Sequence, residues 1–310
     1  MARTELAPSI SKRRKGNPFG QALRQEERTA WLFILPALAA LLIFVFYPMV
    51  QAFFISFQNY NMVGGTRSFN GIDNYRTLMN DSEFLASLRH SLFFAVIVIP
   101  VQTAISLGLA MLIQRAGRFT SLFRTAYFIP VVISTSVAAT VFKLIYNKDF
   151  GILNQVLKSM GLPTTNFLSN PDTAMYGIII LGIWKAAGFF MIILLAGLNN
   201  ISQDLYEAAR VDGASRAQQF FRITLPMLNR TMAFVVIMTT IDAIKLGGLV
   251  FVLTNGGPNG STQTVVYYIW KMAFQQMQMG YGTAAAFVLF AIVLIISLAQ
   301  MTYFNKKSDY

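Results

Sequence analysis

Apolar residues along this chain do not alternate with polar ones at the period of a surface helix or a half-buried strand; they come in long blocks. Six blocks match the ~20 apolar residues that carry a helix across the hydrocarbon core of a bilayer: Trp31–Phe57, Ser91–Ile113, Thr125–Tyr146, Thr173–Leu198, Thr231–Leu253 and Tyr281–Phe304. The first holds no charge over its whole length, far beyond the roughly 7–15 residues of a signal sequence's apolar region. It reads as a retained membrane helix. The pattern predicts an all-α, polytopic membrane protein with six transmembrane helices.

The polar segments between the blocks fix an orientation. With the N-terminus in the cytoplasm, the inside segments hold Arg3, Lys12, Arg13, Arg14, Lys15, Arg24 and Arg28, then Arg115, Arg118 and Arg124. They also hold Arg210, Arg216, Arg222 and Arg230, and finally Lys306 and Lys307. Outside fall only Arg67, Arg76, Arg89, Lys148, Lys158 and Lys271. Lysine and arginine concentrate on the cytoplasmic side of membrane proteins, so both termini are expected in the cytoplasm. Residues 1–28 become a polar tail of little order. Gln58–His90, Asn147–Asp172 and Thr254–Gly280 become extracytoplasmic loops with room to meet a partner.

Composition agrees with lipid as the solvent. The chain has 310 residues, of which 55% are hydrophobic and 12% charged, against about 25% charged in a soluble domain. A net charge of +12 would suit a nucleic-acid partner, but the positive residues are spread between apolar blocks, which favours membrane topology. There is no cysteine and a single histidine, His90, which argues against thiol chemistry and a histidine-based metal site. No Gly-Lys pair occurs, so the Gly-x-x-x-x-Gly-Lys loop that cradles nucleotide phosphates is missing. No nucleophile-elbow pattern suggests an enzyme.

The segment between the fourth and fifth blocks carries the most local information. Ser202 is a predicted N-cap, with Asp204 and Glu207 toward the positive end of a short helix. Gly213 ends that helix in the left-handed conformation, and Ser215 with Gln218 forms a capping-box pattern that starts another. Phe220, Ile223 and Thr224, or Phe221 and Leu225, give the second helix an apolar side, and Pro226 marks the entry to the next span.

Glu207-Ala208-Ala209, Asp212-Gly213-Ala214, Phe220, Ile223, Leu225-Pro226 and Leu228 together resemble the EAA motif of ABC importer permeases with a MetI-like transmembrane domain. Leu253-Thr254-Asn255-Gly256-Gly257-Pro258 is similar to a stretch common in the carbohydrate-uptake branch, although Gly247-Gly248 stands where those members often carry Phe-Asp. The resemblance implies a type I importer fold in the bacterial inner membrane. It also implies a chain divided into a cytoplasmic tail (1–28), a first helix with its loop (29–85) and a permease domain (86–305) carrying the EAA loop (199–228). It implies that Glu207, Ala208, Ala209, Asp212, Gly213 and Ala214 meet an ATPase. The implied partners are a second, related permease, two ATPase copies that bind ATP and Mg2+, and an extracytoplasmic binding protein. This chain itself would hold no cofactor and no nucleic acid. The expected cargo is a sugar or oligosaccharide, with a polyol or glycerol-phosphate compound as the rival; an ion-coupled secondary transporter is the reading from another class.

Charges inside spans cost about 2.5–3.5 kcal/mol on insertion scales and usually face a cavity or a partner. Lys143 sits where it can snorkel. Lys185, beside Trp184, and Asp242 and Lys245, three apart on one predicted helix face, are candidates for the solute pathway or for an internal ion pair. Trp184, Tyr146 and Trp270 are candidate aromatic platforms for a sugar ring.

Overall fold

A computed structural model describes residues 18–114 and 117–306. The basic positions 3–15, Arg115 and Lys307 lie outside the described residues. The chain divides at Phe54 and Ile55 into two units. The first is helical throughout its described part: α1 (Pro18–Leu41) runs through a π-helical turn at Leu42–Phe46 into α2 (Tyr47–Ser56). Residues 18–28 of the expected tail are ordered helix.

The second unit opens with an antiparallel ribbon, β1 (Gln58–Tyr60) against β2 (Arg67–Phe69), in an otherwise helical body. Then come α3 (Asp73–Met79) and α4 (Ser82–Gln114). α4 starts well before the predicted apolar block because Asp81 Oδ1 accepts from the amides of Glu83 (2.8 Å) and Phe84 (3.1 Å), capping a polar first turn. The third block is two helices, α5 (Thr120–Val132) and α6 (Thr135–Ile145), bent by 96°. The following segment is built on α7 (Ile152–Ser159) and on Asn154, which is buried and bonds both Asn147 O and Thr165 O at 3.0 Å. α8 (Pro171–Asn199) matches the fourth block, started by an Asn170 cap and Pro171.

The connecting segment forms α9 (Gln203–Val211) and α10 (Arg216–Gln219), then a π-helical turn at Phe220–Thr224 and α11 (Leu225–Met227). The fifth block departs from its prediction. α12 (Asn229–Ile244) stops at Ile244, and α13 (Gly248–Leu253) begins anew after Lys245–Gly247. Gly247 and Gly248 weaken helix propensity there. α14 (Val265–Trp270) and α15 (Met279–Lys306) are the last helices among the described residues.

Among the described residues, four uninterrupted helical stretches are long and apolar enough to cross a membrane: Ala30–Ser56, Ser82–Gln114, Pro171–Asn199 and Met279–Lys306. Two bent pairs, α5 with α6 and Arg216–Met227 with α12 (71°), bring the number to six if each pair is one span.

Two apolar clusters hold the second unit together. One gathers Phe84, Phe94, Ile178, Leu181, Val250 and Tyr268 toward the ribbon end; the other gathers Ile113, Phe190, Leu194, Leu198, Leu228 and Val235 toward the α9 end. α4 and α8 share both clusters and form the central pair. Their carboxyl ends lie together, with Gln114 Nε2 donating to Leu198 O (3.4 Å).

Candidate functional site

The α9 region is fastened by local chemistry at every joint. Ser202 Oγ accepts from the Asp204 amide at 3.2 Å. At the other end Gly213 adopts φ +78°, its amide donating to Arg210 O (3.1 Å) and that of Ala214 to Ala209 O (2.8 Å). This is a Schellman ending, which needs a residue free of the Cβ penalty. Ser215 and Gln218 then form a reciprocal capping box. Tyr206 Oη lies 2.9 Å from Thr224 Oγ1, and Tyr206, Phe220, Ile223 and Leu225 pack against the cluster around Leu198 and Leu228. α9 is thus rigid and seated on the bundle.

What α9 leaves uncovered is a short face. Glu207, Ala208, Asp212 and Gly213 are exposed, while Ala209 and Ala214 are half-buried. Leu205 (42% exposed) and Val211 (89% exposed) stand on the same helix as Ala208, three residues to either side, so the three share one side. Leu205 and Val211 are apolar positions on α9 that the motif reading passed over. Glu207 is held by Arg210 at 3.5 Å.

A second feature is a cavity of about 430 Å³ between α4, α8, α12 and both helix breaks. Its polar wall includes Gln102, Thr135, Lys185, Thr239, Asp242 and Lys245. Lys185 is the central residue of α8, and its Nζ donates to Ile133 O (2.7 Å) and Val131 O (3.4 Å), the carbonyl end of α5. Gln102, almost fully buried, faces the same turn of α8; with its oxygen toward Ala187 N (2.9 Å) and its nitrogen toward Ile183 O (3.3 Å), it satisfies both.

Asp242 and Lys245 face one cavity, the Lys245 amide still donating to Ile241 O (3.1 Å), but the expected ion pair does not form. α12 ends between them, Lys245 being its C-cap residue, and no ion pair joins them within 4.0 Å. Both instead line the cavity. The Thr239 hydroxyl in the same wall is buried without a protein partner.

The aromatic residues that line the cavity are not Trp184, Tyr146 or Trp270. Phe94, Phe189 and Phe190 line the cavity. Tyr146 is buried and donates to Gly177 O (3.0 Å), and Trp184 packs on Phe142 with centroids 5.1 Å apart. Those two tie α6 to α8 and stand outside the cavity lining. Trp270 packs on Phe251. The sequence signal that could have found the phenylalanines is spacing: Phe94 stands about one turn before Val98 and two before Gln102, and Phe189 about one turn after Lys185.

At the ribbon end, Leu253–Pro258 makes a tight turn with Asn255 and Gly256 at positive φ. Thr262, fully buried, clasps it, its hydroxyl 2.8 Å from Thr254 Oγ1 and donating to Gly257 O (2.6 Å). Beside it Glu83 pairs with Lys271 and accepts from Gln263 (2.9 Å), and His90 Nδ1 lies 3.1 Å from Gln263 O.

Residues 102–309 match the family described as binding-protein-dependent transport system inner membrane component. The chain is 35% identical to the probable ABC transporter permease protein YurN of Bacillus subtilis, over 93% of this chain and 99% of that one. It is 32% identical to the trehalose/maltose transport system permease protein MalF of Thermococcus litoralis, over 88% and 92% respectively. Among solved structures, a bacterial ABC transporter involved in the import of the acidic polysaccharide alginate aligns with TM-score 0.80 at 25% identity, covering 92% of this chain and 99% of that one. A bent-span helical bundle, a capped α9 loop and these likenesses agree: the chain is a multi-pass membrane protein and belongs to the inner-membrane permease components of binding-protein-dependent ABC transport systems.

Proposed function

We propose that this permease imports a sugar or oligosaccharide, driven by ATP hydrolysis on a separate subunit. It crosses the membrane six times with both termini in the cytoplasm, each bent pair counting as one span. Glu207, Ala208, Ala209, Asp212, Gly213 and Ala214, with Leu205 and Val211 beside them, face an ATPase on the cytoplasmic side. Two such ATPase copies hold ATP and Mg2+, a second, related permease completes the pathway, and an extracytoplasmic binding protein delivers the cargo to the ribbon end. The permease domain runs from about residue 86 to 305, after a tail (1–28) and a first span with its loop (29–85).

The observation that carries this reading is the rigid yet uncovered α9. A helix capped at both ends and seated on the bundle through Tyr206, with Leu205, Ala208 and Val211 left uncovered, can pass an imposed displacement to the spans instead of absorbing it. Cargo chemistry is supported by the cavity: phenylalanine rings suit the apolar faces of a pyranose, while Asp242, Lys245 and the unpartnered Thr239 hydroxyl suit its hydroxyl groups. Such a lining of mostly apolar side chains with a few converging polar groups is usual for small-molecule sites. The trehalose/maltose relative points the same way.

In reconstituted complexes, Glu207→Arg and Gly213→Pro are each expected to lower binding-protein-stimulated ATP hydrolysis at least tenfold while membrane insertion stays normal. Undiminished stimulation in both variants would remove the coupling role from α9.

A further inference from the structure

We infer that Lys185 is a positioning residue for transport, holding the break in the third span and with it one wall of the cavity between α4, α8 and α12. α5 ends at Val132; Ile133 (φ −63°, ψ 133°) and Ser134 (φ −54°, ψ 138°) are extended before α6 begins. Neither a proline nor a glycine occupies those two positions; Pro130, inside α5, cannot donate to Ala126 O and weakens the helix one turn ahead of the break, but it does not satisfy the carbonyls that the break frees. The β-branched run Val131, Val132, Ile133 and Thr135 lowers helix propensity only slightly, too little to impose a 96° bend.

The break frees backbone carbonyls at membrane depth, where irregular backbone persists only if protein or a water-filled cavity satisfies it. Lys185 supplies that satisfaction, donating to both Val131 O and Ile133 O from the middle of α8. The geometry is prepared on both sides. Gly188 allows α5 to approach so closely that a Cβ there would lie 2.0 Å from Tyr127 O, and Gln102 and Ser106 of α4 brace the Ile183–Ala187 turn that carries Lys185. The other break has its own donor, since Thr264 Oγ1 reaches Leu246 O at 2.7 Å. Both breaks line the cavity, so their donors set its shape.

A solute contact and a positioning residue behave differently when removed. Loss of a contact raises KM, whereas loss of the positioning bond relaxes the bend and lowers the maximal rate. The chain has no cysteine of its own, so Phe123→Cys and Leu144→Cys, both exposed, accept a nitroxide pair in the assembled transporter. At 1.5 Å per residue a straight helix would separate these positions by about 32 Å, and the 96° bend midway by about 21 Å.

The unsubstituted protein and Lys185→Arg are expected to give a narrow distribution near the shorter distance and comparable transport. Lys185→Met is expected to broaden or lengthen it and to lower maximal transport at least tenfold, with KM for the solute-loaded binding protein within twofold. Should the methionine variant fail to assemble, Lys185→Gln, a donor of shorter reach, is expected to show the same change. An unchanged distribution in whichever of these assembles overturns the inference, as does a raised KM with the bend intact. This inference takes only the transport arm from the reading above. The distance arm is independent of cargo and of α9, so failure of either proposal shows separately.

Discussion

Asp81 illustrates how much of the ribbon end depends on one carboxylate. Its Oδ1 caps α4, while Oδ2 accepts from Tyr268 Oη (2.5 Å) and Tyr281 Oη (2.9 Å), joining α4 to α14 and α15. Burial works against the charged form, but hydrogen bonds from Tyr268, Tyr281 and the amides of Phe84 and Glu83 outweigh it and hold the carboxyl below its usual range. A depressed carboxylate contributes stability that is complete above the unfolded-state value of about 3.9 and is lost as pH falls through the lower folded value. The thermal midpoint of the solubilised complex should therefore fall more steeply once pH drops below about 4. Asp81→Asn should lower the midpoint at pH 6 and lack that part of the acid-induced fall. Identical pH profiles for the two proteins would mean that the contacts of Asp81 contribute nothing to the junction.

At the scale of elements, α10 is only four residues long, and its start depends on the Ser215–Gln218 box. Removing such a cap typically costs about 1 kcal/mol, which corresponds to roughly fivefold faster local opening. Ser215→Ala should speed amide hydrogen exchange through Arg216–Gln219 by about that factor and leave the middle of α8 unchanged; equal acceleration in both would mean global destabilisation. These caps were legible in the sequence because capping is chemistry between residues two to four apart. The breaks were not. Ile133 finds Lys185 across 52 positions, and Leu246 finds Thr264 across 18, so an uninterrupted apolar run such as Thr125–Tyr146 looks like one straight span until its partners are in place. The cavity was half legible for the same reason. Intramembrane charges mark themselves, and Lys185, Asp242 and Lys245 do meet there. Phenylalanine in an apolar block looks the same whether it faces lipid or cavity, and the more conspicuous Trp184 and Tyr146 pack between α6 and α8, outside that cavity's lining.

Taken as a whole, the second unit has two ends, and α4 measures the distance between them. Its 33 residues span about 50 Å at 1.5 Å each, against about 30 Å of hydrocarbon core. At its amino end Glu83 and His90 lie beside the Asn259–Gly260 turn; at its carboxyl end Gln114 lies beside Gln203, Tyr206 and Arg216. α9 and the 259–260 turn must then emerge on opposite faces of any membrane that α4 crosses. With no native cysteine, single introduced thiols report this directly. Asn259→Cys should react with a membrane-impermeant maleimide added outside intact cells, whereas Val211→Cys, on a side chain 89% exposed, should react only in inverted vesicles. Adding the ATPase to permease-containing inverted vesicles should then shield Val211→Cys, because Leu205, Ala208 and Val211 form the apolar side that the helix leaves bare. Labelling of Val211→Cys from outside would reverse the orientation. Labelling from inside with no shielding by bound ATPase would keep the orientation but move the docking surface off α9.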